Sequence, residues 1–244
     1  MVSRRAAAVL GIILILQSAP MDGFGGQASS AVPQKDDSDW WSMTRSAETT
    51  EIGRIQHRET ASANLRIVGI NLLDINFVGI HKELGQSPIV ERGDASAWRK
   101  QVCYTSSSTE RPTYLVFEQG EVNSSFYLFS KPTPWNGRDL CTRSKRISEG
   151  VETASGLHLG QTPEDVVRIL GQPSESKPGQ LLYLIEMKRN TTPEALARAR
   201  KQHPELSEQQ FHDDYDTYEV TVLICALFAD SGMIYLGVSA AEIS

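Results

Sequence analysis

Two segments of the chain, 86 positions apart, carry the same pattern. Residues 73–88 hold a run of periodic apolar residues that ends in LGQSP, and residues 159–173 hold a similar run that ends in LGQP. Apolar residues at helical spacing, followed by Gly and then Pro, are typical of a short helix that stops at the Gly. A unit repeated at a fixed offset predicts a tandem-repeat architecture, which constrains the fold more than any other feature here.

The second copy gives the clearer helix. Thr162 is a good N-cap, Pro163 suits the first helical position, and Asp165 approximates the second half of a capping box. The first copy repeats this with Asn76 as the cap before a face of periodic apolar residues.

The glycines that end the two apolar runs provide the most specific test of whether the two segments are equivalent. We expect Gly85 and Gly171 each to follow a helix, and at least one of them to have a positive φ, which favours Gly because it has no Cβ.

Strand-like runs bounded by turn residues follow each predicted helix. In the first copy these runs lie at residues 98–104, 113–118 and 122–130, and in the second copy at 181–187, 218–228 and 233–239. Their short connections predict antiparallel neighbours. An insertion at residues 188–216 is expected to form a solvated helix. The sequence therefore predicts an α+β protein of two tandem repeats, each a short helix or helical hairpin packed on an antiparallel β-sheet, at residues 65–148 and 149–244.

The first 28 residues are typical of a secretory signal peptide. A short basic region precedes an unbroken apolar run of eleven residues, which is too short to span a bilayer, and small residues precede Ser29. We expect an extracytoplasmic protein, periplasmic or secreted and without a lipid anchor, since no Cys lies near the cleavage region. Residues 29–64 are polar and predict a mobile leader. Within it, Trp40 and Trp41 could dock on a partner or fold back on the protein's own sheet.

Charge argues against several functions. Signal removal takes away two Arg and one Asp and changes the formal net charge from −6 to −7. Nucleic-acid binding requires a basic surface, so it is not expected. No later apolar stretch exceeds the nine residues of 220–228, so no membrane span is expected after signal removal.

Three Cys remain in the mature chain. Cys103 ends a strand-like run, Cys141 lies in a polar loop, and Cys225 lies inside an apolar strand. In an oxidising compartment this predicts a disulfide between Cys103 and Cys141. The alternative is three free thiols, with Cys225 a buried small apolar residue.

Residues 157–173, LHLGQTPEDVVRILGQP, resemble the start of the SmpA/OmlA module found in BamE-type outer-membrane assembly lipoproteins. The tandem arrangement is similar to the β-lactamase inhibitor protein fold, and this resemblance implies a concave sheet surface that grips a partner protein. The chain departs from these patterns in lacking a lipidated Cys and in carrying the insertion.

Both faces of several predicted strands are apolar or aromatic, yet one short helix per repeat can cover only one sheet face. The other face is expected to be buried against the other repeat, against the insertion or against another protein of unknown identity. Tyr suits a protein-binding surface because it is apolar with a polar tip. The candidate binding residues are Tyr114, Tyr127, Tyr183 and Tyr235. The alternative is two sheets packed face to face, with these rings in the core.

Catalytic and metal signatures are weak. Residues 212–216, HDDYD, are the densest cluster of oxygen and nitrogen donors, but they lack the Gly and terminal Glu of a calcium-binding loop, so we interpret them as a solvated acidic loop. No cofactor, metal or catalytic residue is predicted. The leading hypothesis is a non-catalytic protein-binding module acting in envelope assembly or enzyme inhibition. The rivals are an extracytoplasmic hydrolase with an unrecognised site and a structural envelope component.

Overall fold

Twelve strands and four α-helices make up the described part of the chain. The computed structural model describes residues 55–57, 61–92, 98–108, 110–121, 123–130 and 140–243. The predicted signal peptide and the leader before Ile55, including Trp40 and Trp41, lie outside the described residues. The strands are β1 (Ile55–His57), β2 (Arg66–Ile67), β3 (Ile70–Asn71), β4 (Val90–Arg92), β5 (Arg99–Thr105), β6 (Tyr114–Gly120), β7 (Asn123–Phe129), β8 (Thr142–Arg143), β9 (Glu175–Lys177), β10 (Gln180–Asn190), β11 (Thr217–Ala229) and β12 (Gly232–Ile243). The helices are α1 (Phe77–Leu84), α2 (Pro163–Leu170), α3 (Pro193–Gln202) and α4 (Glu208–Tyr215), with short 3-10 helices at Ala61–Leu65 and Leu72–Asp74.

Ten of the described strands form one sheet, in the order β1-β10-β11-β12-β7-β6-β5-β4, with β8 beside β5 and β9 beside β10. The six long strands are antiparallel to one another where they pair, whereas β1 pairs with β10 in parallel and β8 pairs with β5 in parallel. The strands of both predicted repeats meet where β12 pairs with β7, from Tyr235 beside Phe129 to Ala241 beside Asn123. The fold is α+β: the long strands of both predicted repeats lie in this one sheet rather than in two sheets packed face to face, and β2 and β3 pair in a separate two-stranded sheet.

The predicted helix ends are confirmed at α1 and α2. The Thr162 side chain accepts a hydrogen bond from the Asp165 N–H, and both halves of the capping box are present. Asn76 caps α1 by accepting from the Gly79 N–H. Gly85 and Gly171 end the two helices with φ of 99° and 76°, so the glycine prediction holds at both positions.

Both helices pack on the same face of the sheet, which we call the first face. Buried Ile80 and Leu84 of α1, and Val166 and Leu170 of α2, lie in one apolar core with the inward side chains of the long strands. A matching hydrogen bond secures each helix end to the sheet. The Tyr104 hydroxyl donates to the Gly85 carbonyl at 2.7 Å, and the Tyr183 hydroxyl donates to the Gly171 carbonyl at 3.1 Å.

Burial gives Tyr104 a testable titration. Desolvation raises its pKa from 10.0 to about 12, because the charged phenolate is disfavoured away from water. The folded-state pKa lies above the unfolded value, so this group's contribution to stability is intact below pH 10 and is lost as the pH rises towards about 12. Alkaline difference spectroscopy should therefore show a late-titrating Tyr that is missing in Tyr104→Phe. An unchanged titration curve in that variant would contradict this assignment.

The insertion differs from its prediction. It contains two helices, α3 and α4, rather than one, and β10 and β11 extend to Asn190 and Thr217 at its base. Ser207 begins α4 through a complete capping box with Gln210. Phe211 is the buried residue of α4, with the Arg200 guanidinium 4.8 Å from its ring centroid and the Tyr215 ring stacked at 5.0 Å.

Gly232 is the first residue of β12 and has a φ of 97°. At this point the backbone lies close to the segment that precedes α2. A Cβ added at Gly232 would lie 2.3 Å from the Gly160 carbonyl oxygen, and beside it the Gly160 N–H donates a 2.8 Å hydrogen bond to the Met233 carbonyl. Only Gly fits, both because φ is positive and because no side-chain atom can occupy that space.

Gly232→Ala is therefore expected to lower the free energy of unfolding by about 1–3 kcal/mol. Gly156→Ala is the matched control, since Gly156 has φ of 86° but no atom lies within 4 Å of the position that a Cβ would take there. Denaturant unfolding of both variants should show the larger loss at Gly232. Equal losses would mean that the close approach contributes nothing beyond the backbone conformation.

Candidate functional site

The sheet face opposite α1 and α2, which we call the second face, carries its own apolar cluster. Side chains alternate along each strand, so residues that pair across neighbouring strands share a face. The buried members of this cluster are Cys103, Val116, Phe129, Leu182, Cys225, Leu227 and Tyr235, and the partly buried members are Tyr114, Tyr127, Cys141 and Ile234. The expectation that apolar side chains line both faces of the sheet is confirmed.

Three of the four candidate tyrosines lie on the second face. Tyr114 and Tyr127 are partly exposed, as a binding surface requires. Tyr235 is only 2 % exposed, so it supports its neighbours rather than presenting a ring to solvent. Tyr183 lies on the first face, is 0 % exposed and belongs to the core beneath α2, so the expected exposure of its ring is not found. The physical reason is its register, which places it beside Ile224 on the helix-covered side.

Aromatic rings run across three strands of the second face. Tyr114 pairs with Phe129, with ring centroids 5.2 Å apart, and Phe129 pairs in turn with Tyr235. The Tyr127 and Tyr235 rings lie 6.3 Å apart and are also stacked. Cross-strand aromatic pairs stabilise a sheet and give it a rigid surface, which lowers the conformational entropy lost on binding.

A shallow depression lies beside these rings. The Tyr235 ring leans over Gly237, and a Cβ there would lie 2.7 Å from the Tyr235 hydroxyl. The depression is lined by Tyr127, Leu223, Cys225, Tyr235, Gly237, Val238 and Ser239. These lining residues supply hydroxyls and one thiol but no carboxylate, imidazole or ammonium group. The depression has a volume of only about 10 Å³, room for about one water molecule, and its lining residues supply no group for acid–base chemistry.

The buried carboxylate of Glu118 accepts a hydrogen bond from Tyr127. Glu118 is 8 % exposed, and its oxygens accept a hydrogen bond from the Tyr127 hydroxyl at 3.3 Å and from the Gln101 side-chain amide, while the Arg99 Nε lies 3.3 Å away. A buried carboxylate is stable only when it is paired in this way. The arrangement fixes the orientation of the Tyr127 ring. The only sequence signal for this hydrogen-bonded group was the charged residue Glu118 at the end of the apolar run 114–117.

The structure decides between the disulfide and the three free thiols. Cys103 and Cys141 form a disulfide bond, which rules out three free thiols. Cys225 remains a thiol outside the disulfide and is buried on the second face.

The cluster at residues 212–216 is not a loop. It forms the last turn of α4, where the His212 Nδ1 lies 2.8 Å from an Asp216 carboxylate oxygen. Asp216 raises the pKa of His212 by hydrogen bonding and by its charge. Within the described ranges, no group of three or more His, Cys, Asp or Glu is arranged to hold a metal ion.

A scan against protein-family models, a search of curated proteins and a search of solved structures each find no match. The resemblance to the SmpA/OmlA and inhibitor-protein modules therefore depends on residues 157–173 and on the order of the strands. None of the helices in the described part of the chain is long and apolar enough to cross a membrane.

Proposed function

We propose that the protein is a secreted or periplasmic, non-catalytic protein-binding module, with envelope assembly or enzyme inhibition as its particular roles. The observation that carries this proposal is the second face, where partly exposed Tyr114 and Tyr127 lie on a rigid aromatic surface beside a shallow apolar depression. Aromatic side chains of this kind are frequent anchors of protein–protein interfaces. The disulfide is compatible with an extracytoplasmic location.

We further propose that the sheet is built from two tandem repeats, at residues 65–148 and 149–244. The support is the repeated order of a capped helix, a positive-φ Gly and three long antiparallel strands, namely α1 with β5, β6 and β7, and α2 with β10, β11 and β12. The last strands of the two sets, β7 and β12, pair at the middle of the sheet. The hydrogen bonds from Tyr104 and Tyr183 to the two Gly carbonyls occupy equivalent places in the two sets.

The binding proposal predicts that a change at Tyr127 lowers the affinity for a partner without a matching loss of stability. Tyr127→Ala removes a central ring from the second face and is expected to weaken partner binding by about 1–2 kcal/mol, or roughly five- to thirtyfold. Tyr127→Phe keeps the ring, so it should retain most of the affinity. Tyr215→Ala is the control that should bind normally, because the Tyr215 ring stacks on Phe211 of α4 and is not part of the second-face cluster.

The measurement is quantitative capture from an envelope fraction with the mature chain and these three variants as bait, alongside thermal melts of each. A partner retained equally by the mature chain and by Tyr127→Ala would contradict a role for the second face. Hydrolytic activity in the purified protein would support the enzyme alternative, and stable self-association without any captured partner would support the structural one.

A further inference from the structure

We propose that the hairpin formed by α3 and α4 is a pH-sensitive element of the protein, ordered at mildly acidic pH by protonated His212 and loosened when that imidazole loses its proton. The hairpin leaves the sheet at the end of β10 and returns to it at the start of β11. The proposal depends neither on the second face nor on a partner protein.

The hairpin is held in place by few buried side chains. In the fully described helices α3 and α4, Phe211 is the only buried residue, whereas α1 and α2 each bury two residues in the core on the first face. An element with so little buried apolar surface opens at a much smaller free-energy cost than the whole protein. A change of charge in the hairpin can therefore alter its order without unfolding the sheet.

Helix α4 has an unfavourable charge distribution at its C-terminal end. Asp213, Asp214 and Asp216 lie in or directly after its last turn, where the helix dipole disfavours negative charge. The sequence of α4 includes no Lys or Arg, so His212 is the one side chain of this helix that can carry a positive charge. Protonation of His212 therefore supplies the cation that this end of the helix otherwise lacks.

The His212 ring lies between two carboxylates, one on each side of it along the helix. Its Nδ1 is 2.8 Å from an Asp216 oxygen, and its Nε2 is 3.7 Å from a Glu208 oxygen. An imidazolium has an N–H at both nitrogens and can pair with both carboxylates, whereas a neutral imidazole has an N–H at only one. The Arg200 guanidinium of α3 pairs with the same Glu208, and its charge opposes protonation of His212. The protonated ring thus links the first residue of α4 to its C-cap.

Asp216 connects this link to the sheet. Its carbonyl accepts a 2.8 Å hydrogen bond from the Thr191 N–H, and its own N–H donates to the His212 carbonyl at 3.2 Å. Thr191 directly follows β10 and Asp216 directly precedes β11, so this pair closes the base of the insertion. The carboxylate that pairs with His212 therefore belongs to the residue at which the hairpin rejoins the sheet.

The direction of the pH dependence follows from the pKa of His212. Asp216 raises this pKa above its ordinary value of 6.5, by hydrogen bonding and by its charge, and the Glu208 charge adds to the effect. The folded-state pKa lies above the unfolded value, so the contribution of His212 to the order of the hairpin is complete below the unfolded value. It is lost as the pH rises through the folded-state pKa.

Hydrogen exchange of the mature chain, followed by mass spectrometry, tests the proposal. The measured quantity is the protection factor of the backbone amides in residues 207–216, from which the intrinsic pH dependence of exchange is removed. We expect protection roughly three- to tenfold higher at about pH 5.5 than at about pH 8. Residues 163–170 of α2, which include no His, are the internal control and should show no such change. Equal protection of residues 207–216 at the two pH values would overturn the proposal.

Three variants separate the charge of His212 from its side-chain packing. His212→Gln cannot be protonated, so it should show the low protection of about pH 8 at both pH values. His212→Lys remains charged at both, so its protection should stay high. His203→Gln removes the other imidazole of the hairpin, which stacks on Tyr215, and should keep the pH dependence. Persistence of the pH dependence in His212→Gln, low protection in His212→Lys, or loss of the pH dependence in His203→Gln would each contradict the assignment to His212.

Discussion

Loss of the Cys103–Cys141 disulfide is expected to lower the free energy of unfolding by about 3–4 kcal/mol, the largest effect we predict for a small change in this chain. The bond joins residues 38 positions apart, so it removes much conformational freedom from the unfolded chain. It also fixes Cys141 beside β5, where β8 begins, and Cys103 is itself buried in the second-face cluster. Denaturant unfolding of the double variant Cys103→Ser with Cys141→Ser, compared with the oxidised chain, measures this loss.

Two controls separate the cross-link from packing. The unmodified chain treated with a reductant should approach the stability of the double variant, because both lack the bond. Cys225→Ala, at the buried thiol outside the disulfide, should cost only about 1 kcal/mol. A double variant that unfolds within about 1 kcal/mol of the oxidised chain would show that the bond adds little stability.

Leu170→Ala is expected to cost about 2–4 kcal/mol, because it deletes a large part of a side chain that is 2 % exposed and leaves a cavity between α2 and the sheet. Thermal and denaturant unfolding measure the loss. Binding through the second face should be unaffected at temperatures where the variant is folded, since Leu170 packs on the first face.

The two helices provide matched comparisons for this change. Leu84→Ala, at the last residue of α1 and 5 % exposed, should cost a similar amount if the helices are equivalent. Val78→Ala, on α1 but 81 % exposed, should change stability by less than about 0.5 kcal/mol. A loss at Leu170 no larger than that at Val78 would contradict the burial of α2 on the sheet.

The local elements of this fold were predictable because their signals are local. The Thr162 cap, the Asp165 side chain and the Gly171 stop define α2 within a single short segment, and the structure places the helix between them. The six long strands begin within one residue of their predicted starts and end within four residues of their predicted ends. The short strands β1, β2, β3, β4, β8 and β9 were missed, because segments of two or three residues carry no periodicity and form only by pairing with another strand.

The second helix of the insertion was missed for a different reason. Ser207 and Gln210 form a capping box that could have been read from the sequence, but the residues that follow, including His212, are mostly polar and give α4 little apolar periodicity. The helix is stabilised by long-range contacts of Phe211 with Arg200 on α3. Such contacts depend on how α3 packs against α4, which spacing within one segment does not specify.

The sequence by itself determined the class of the fold, the ends of α1 and α2 and the order of the long strands along the chain, and it predicted the Cys103–Cys141 disulfide. Only the tertiary structure decided that β7 and β12 pair to join all of these strands in one sheet, and which face each ring occupies. When apolar residues fill both faces of a strand, alternation no longer distinguishes inside from outside, and a shift of register by one residue exchanges the faces. The register of β10 against β11 placed Tyr183 in the core, and that of β6 and β7 placed Tyr114 and Tyr127 on the second face.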